Sequence, residues 1–341
     1  MRQAAIEPDP YPAPLKALTR DAVTKLSARL ARDAPVLGEH ADGWMRGLAG
    51  DAAAERYFLH PRAFPAVLLP WLAEASIRRQ PSRSFQRDVV YSTVAGYYFV
   101  RLTDDLMDGE AVDPPVVPLL LVLHAEFEQT YHRHFPAGHP FWDVLRRSSY
   151  QAAETASRDA GARHITREHF LASSARKVAG AKIPIAAVCH RYDRSDLVAP
   201  WSAFVDLLGR WHQLLNDMLG WSRDLQRETP TYFLSEASTR AGAGGSIAEW
   251  VVSDGYAWGM GQLAPWMTDL LAAARQLESP ALVTYLEGRD HALRATWEKL
   301  RGAMESLQRL ARSLRGAGPS ASGIELGDPT PHGDGRERDP R

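Results

Sequence analysis

The sequence predicts an all-α protein of roughly ten helices, on three observations. Apolar residues recur at steps of three and four along most of the chain, alternating polar and apolar runs suited to strands are missing, and breaks rich in proline, glycine or serine separate the periodic stretches.

Taken in order, residues 1 to 13, with Pro8, Pro10, Pro12 and several charges, read as a flexible arm. From Pro14 a helical stripe runs through Leu15, Leu18, Val23, Leu26 and Leu30 and stops at Asp33-Ala34-Pro35. Weaker helical pieces follow near Trp44 and Tyr57, then a stronger one over 61–79, closed by Gln80-Pro81-Ser82. Ser84 begins a long helix ending at Asp108, with Gly109 as its C′ cap. Beyond Asp113-Pro114-Pro115 the pattern returns over 117–134, 140–160 and 166–192, the last kinked at Pro184, then over 195–227, 231–238, 246–275 and 279–315. After Arg315 the composition shifts to Gly, Pro, Ser and charge, so 316–341 reads as a disordered tail and 14–315 as one helical domain. No repeat of 30 to 50 residues stands out, which argues against a solenoid.

An apolar content of 45% can fill one large core in 341 residues. Lys plus Arg total 40 against 41 for Asp plus Glu, so no charge excess points to nucleic acid or to an anionic membrane. Cys189 is the only cysteine, which excludes an intrachain disulfide framework and a multi-cysteine zinc site and fits a reducing cytoplasm. The first residues lack the apolar core of a signal peptide. The longest apolar run, Val116 to Leu123, is interrupted by Pro118 and falls far short of the ~20 residues a membrane helix needs, so no transmembrane segment is expected.

Chemistry concentrates at two helix ends. Asp104 and Asp108 lie one turn apart, their side chains roughly 6 Å from each other, with Asp105 beside them; this suits shared oxygen ligation of a hard cation such as Mg²⁺. The carboxylates also crowd the negative end of the helix dipole, a cost that a cation relieves. In the second stretch Asn216, Gly220 and Asp224 share a helical face, with Asp217 adjoining and Gln213 a turn earlier. There Asn216, Asp217 and Asp224 offer oxygen, and Gly220 is expected to leave room for a water or an ion.

With these residues the chain resembles the class I isoprenoid synthase superfamily, terpene and polyprenyl synthases, whose members bind a diphosphate through Mg²⁺ between two facing acidic helices. Asp104-Asp105-Leu-Met-Asp108 is similar to the family's first motif in full. The second is a hybrid, with Asn216 and Gly220 cyclase-like and Asp224 in place of the usual glutamate. The resemblance, looser from about Arg62 to Leu234, implies a helical bundle around a central cavity and several Mg²⁺ ions held by Asp104, Asp105, Asp108, Asn216, Asp217 and Asp224. It also implies Lys182 and Arg227 on the leaving diphosphate with Asp104 and Asp105, and substrate contacts from Arg101, Arg176, Lys177, Tyr97, His212 and Gln213. The helix faces below the metals are expected to carry Tyr97, Val100 and Arg101 on one side and Leu208, Gly209 and His212 on the other.

The resemblance departs in places. The stretch His60-Pro61-Arg62-Ala63-Phe64-Pro65 replaces the family's basic loop for a second diphosphate, which disfavours head-to-tail elongation. The cyclases' C-terminal Arg-Tyr pair is missing, with Arg289 and Arg294 as candidates to serve instead. The implied activity is that of a cytoplasmic terpene-synthase-like lyase, ionising and cyclising one prenyl diphosphate. The alternatives are a prenyltransferase joining prenyl units and a helical protein that binds a prenyl diphosphate without turnover; a homodimer is left open. A di-iron bundle is excluded because none of the 12 histidines has a glutamate three residues before it, and no glycine-rich phosphate loop follows a strand.

Overall fold

Pro12 precedes the first helix, Pro35 opens the second, and the leucine stripe between them (Leu15, Leu18, Leu26 and Leu30) is buried, as its period requires. The computed structural model describes residues 9–50, 52–61, 63–159 and 161–316. Most of the arm expected at 1–13, Arg62, and nearly all of the tail expected at 316–341 lie outside them. Among the described residues there are α-helices and short 3-10 or π turns but no strand, which is the all-α class read from the sequence.

In chain order the helices are α1 (Ala13–Asp33), α2 (Pro35–Leu48), the single turn α3 (Arg56–Leu59), α4 (Leu68–Ile77), α5 (Arg83–Met107), α6 (Leu119–Gln129), α7 (Phe141–Asp159), α8 (Arg167–Lys177), α9 (Lys182–Arg191), α10 (Val198–Gln226), α11 (Tyr232–Ala241), the single turn α12 (Ile247–Trp250), α13 (Tyr256–Gln276) and α14 (Pro280–Gly316). Two compact units divide the chain, Met1–Leu293 and Arg294–Arg341. The core and all of the chemistry below belong to the first. Among the described residues, no helix is long and apolar enough to cross a membrane.

Helices α5 and α10 organise the first unit. The former packs on α1 and α6, the latter on α8 and α13. Their inward faces hold Val89, Val94, Tyr98 and Leu102 on α5 and Trp201, Phe204, Leu208 and Trp211 on α10, all essentially without solvent contact. Each fully buried side chain of this size contributes about 1.5–3 kcal/mol. The start of α5 is fixed by a buried carboxylate: Glu74 of α4 accepts from the Ser82 backbone N–H at 2.7 Å, from Gln86 at 2.7 Å and from the Tyr192 hydroxyl at 2.5 Å.

Three expected helices are cut differently. The stretch 61–79 is helical only from Leu68, because Pro61 and Pro65 open it. Residues 246–275 contain a π turn, Val251–Gly255, between α12 and α13. The stretch 166–192 does not kink at Pro184: it breaks at Val178–Ala181, and Pro184 lies in the first turn of α9, where a missing N–H costs nothing.

Gly209 sets how closely α8 approaches α10. A Cβ there would lie 2.4 Å from Val178 Cγ2 and 2.9 Å from the Ser174 carbonyl oxygen. It is therefore a helix contact and not a pocket wall. Gly209→Ala is expected to destabilise the protein by about 1–3 kcal/mol through overpacking, read as a lowered midpoint in urea unfolding. An unchanged midpoint would contradict so close a contact.

Candidate active site

The C-terminal ends of α5 and α10 each present carboxylates. At the end of α5 the Asp108 N–H donates to the Asp104 carbonyl at 2.8 Å and the Glu110 N–H to the Asp105 carbonyl at 2.9 Å, while Gly109 takes the left-handed φ of 66° that such a cap requires. Asp104 is exposed at the surface; the protein packed around its carboxyl raises it to about 6, Lys177 and Arg101 opposing the rise and Asp108 and Asp105 adding to it. Asp108 lies exposed on the rim.

On α10 the inward face is Gln213, Asp217, Gly220 and Asp224, not the 216/220/224 face expected. Asp217 is 4% exposed and Asp224 8%, whereas Asn216 points to solvent at the rim. Burial pushes the Asp217 carboxyl up to about 7, although Gln213 Nε2 donates to it at 2.8 Å and Lys177 and the Tyr232 backbone also favour its ionised form. The room expected at Gly220 is taken: a Cβ there would meet Arg223 Nη2 at 3.0 Å and Asp224 Oδ2 at 3.1 Å, and Arg223 binds Asp224 Oδ1.

Lys177 joins the two ends. Its charge acts on Asp104 of α5 and on Asp217 of α10 alike. The ammonium is paired with Asp159 Oδ2 at 2.8 Å, and Asp159 Oδ1 in turn meets His169 Nε2 at 2.7 Å. A second tie closes the rim, where Arg227, after α10, pairs with Glu110, after α5.

Other sequence candidates are placed elsewhere. Asp105, beside the pair, is tucked against Arg101 at 2.5 Å and bonded by Trp44; its carboxyl is nonetheless raised, burial being the largest cause. Lys182 is drawn to Asp206 at 2.6 Å, because the break at Val178–Ala181 turns it away from the carboxylates. Arg176 lines a shallow cleft with Tyr150 and Glu154 of α7. Tyr97 packs edge-on against Tyr57 and Phe58, one turn below Arg101. His212 packs edge-on against Phe64, Leu208 is fully buried in the core, and Val100 is 39% exposed. Asp159 and His169 were not singled out from sequence; they stand alone in polar helices, with no spacing that marks them.

Among the described residues, no three His, Cys, Asp or Glu side chains converge on one point as a metal cage does. The donors fit Mg²⁺ in another way. They are hard carboxylate oxygens, two of them raised above their usual pKa chiefly by burial, so a cation that completes its shell from an anionic ligand suits them.

No family model matches the chain, and no curated protein matches it. Its fold is similar to that of a solved geranylgeranyl pyrophosphate synthetase from the archaeon Geoglobus acetivorans, with a TM-score of 0.60 over 81% of this chain and 98% of that one, at 11% identity. The fold is thus that of the isoprenoid synthases.

Proposed function

We propose that this protein is an enzyme that ionises a prenyl diphosphate in a Mg²⁺-dependent step and transfers the prenyl unit to an acceptor. The observation that supports the reading is that the two acidic helix ends lie together: Arg227, after α10, pairs with Glu110, after α5, and the charge of Lys177 reaches both Asp104 and Asp217. Asp104 and Asp108 on one side and Asp217, Asp224 and the rim Asn216 on the other would hold the ions. Bound Mg²⁺ supplies neutralisation of the charge that develops on the departing diphosphate.

The chain's own residues do the rest. Lys177, paired with Asp159, donates hydrogen bonds to the diphosphate, and Arg227 can exchange Glu110 for the same anion at the rim. Gln213 fixes the orientation of Asp217. Tyr97, two turns below Asp104 and packed edge-on against Tyr57 and Phe58, belongs to the aromatic wall beneath the carboxylates.

Transfer is favoured over cyclisation because a solved protein of similar fold is named a geranylgeranyl pyrophosphate synthetase. Cyclisation with loss of diphosphate is the second reading, supported by the cyclase-like Asn216 and Gly220. Incubation with C10 to C25 prenyl diphosphates and Mg²⁺, with and without isopentenyl diphosphate or another acceptor, decides by mass spectrometry. Adducts are expected; cyclic hydrocarbons alone support the second reading, and intact substrate throughout defeats both.

A further inference from the structure

One to two turns below the acidic mouth, an apolar core holds a polar cluster with an unbalanced charge. Arg289 of α14 is half-buried, its guanidinium 5.1 Å from the centre of the Trp211 ring and 5.8 Å from that of Tyr285. Nη1 donates to the Ala63 carbonyl at 3.2 Å and to the Tyr285 hydroxyl at 2.8 Å. The side-on edge, Nε and Nη2, makes no bond to protein and is not sealed from solvent. Among the described residues no carboxylate lies within ion-pair distance of it. His212 stands beside it, 8% exposed, with its Nδ1 enclosed and unpartnered. The phenols of Tyr11 and Tyr97 complete the group, Tyr11 lying within electrostatic reach of Arg289, Tyr285 and Tyr97.

A half-buried guanidinium without a counter-ion costs free energy that an anionic ligand offsets. Two parallel N–H groups on one edge match the two oxygens of a carboxylate. A diphosphate fits less well, since among the described residues Arg289 is the cation acting on His212 and Tyr285 and balances a single negative charge. Burial, with Arg289 adding to it, holds the imidazole down to about 3, so it stays neutral and competes for no anion as a charge. The like charge of Arg289 also makes this a poor resting place for a carbocation.

We propose that Arg289, Tyr285 and His212 form a subsite for the carboxylate of an amphiphilic ligand, distinct from the acidic mouth. Calling that ligand the prenyl acceptor rests on the function proposed above; binding does not, and is measured without turnover.

The test is calorimetric titration of the full chain in Mg²⁺-free buffer with decanoate, decanol and inorganic diphosphate. Decanoate is expected to bind about tenfold tighter than decanol, one charge-assisted hydrogen-bonded pair's worth. R289M is expected to erase that preference, R289K to keep part of it and H212F to reduce it about two- to fivefold. Equal affinities, no decanoate binding, or a preference that survives R289M would overturn the subsite. So would Mg²⁺-free diphosphate binding that R289M abolishes, which marks a phosphate site instead. Since Arg289 also ties Ala63 and Tyr285, R289M can fail to fold; an undiminished preference in H212F then overturns the proposal. A decanoate preference in a protein that turns over no prenyl diphosphate removes the proposed function and leaves the subsite standing.

Discussion

Asp217→Asn is expected to stabilise the metal-free protein at pH 8 while lowering Mg²⁺-dependent turnover by about 10³-fold. The first effect follows from linkage. The Asp217 carboxyl is raised from 3.8 to about 7 in the fold, so its protonated form is the favoured one. Its contribution is complete below pH 3.8 and is lost as pH rises through about 7, a difference of about 4 kcal/mol at pH 8. Asparagine reproduces the neutral acid at every pH. Thermal unfolding without metal should show the wild type losing stability between about pH 4 and 7 relative to the variant. The second effect follows from chemistry, because an amide is a weaker ligand for a hard cation than a carboxylate. A variant less stable than wild type at pH 8, or one that retains turnover, would remove Asp217 from the site.

Lys177→Met is expected to lower turnover by at least about 10²-fold, whereas Lys182→Met should change it by less than about threefold. Lys177 is the cation that Asp104 and Asp217 share, while Lys182 is bound to Asp206, far earlier on α10 than the acidic turn. Initial rates of diphosphate release from the two variants separate these roles. The opposite ranking would mean that the lysine after the helix break, not the one before it, faces the substrate.

This pair shows where sequence reading ran short. The periodic leucines of α1 and the spacing of Asp104 and Asp108 were legible because both are local, set by 3.6 residues per turn. The separate pairing of Lys177 with Asp159 and of Lys182 with Asp206 was not. It turns on a break at Val178–Ala181 that contains no proline, next to a Pro184 that invites the wrong assignment. Asp105 was read as a ligand from its place beside Asp104 and in the aspartate-rich motif; the fold also pairs it with Arg101 one turn earlier, a contact that i,i+4 spacing makes legible. Gly220 looked like empty space, yet its own helix fills that space with Asp224 and Arg223. Asp159, behind Lys177, and Arg289, beside His212, reach their partners only through tertiary packing, which no short-range pattern encodes.

The central claim, that the ends of α5 and α10 grip one Mg²⁺–diphosphate together, is tested most directly by calorimetric titration of inorganic diphosphate into wild type, Asp104→Asn, Asp217→Asn and the double variant. Joint grip predicts binding that requires Mg²⁺, is lost in either single variant and falls no further in the double. Losses that simply add, or binding that is indifferent to Mg²⁺, would show two separate acidic turns.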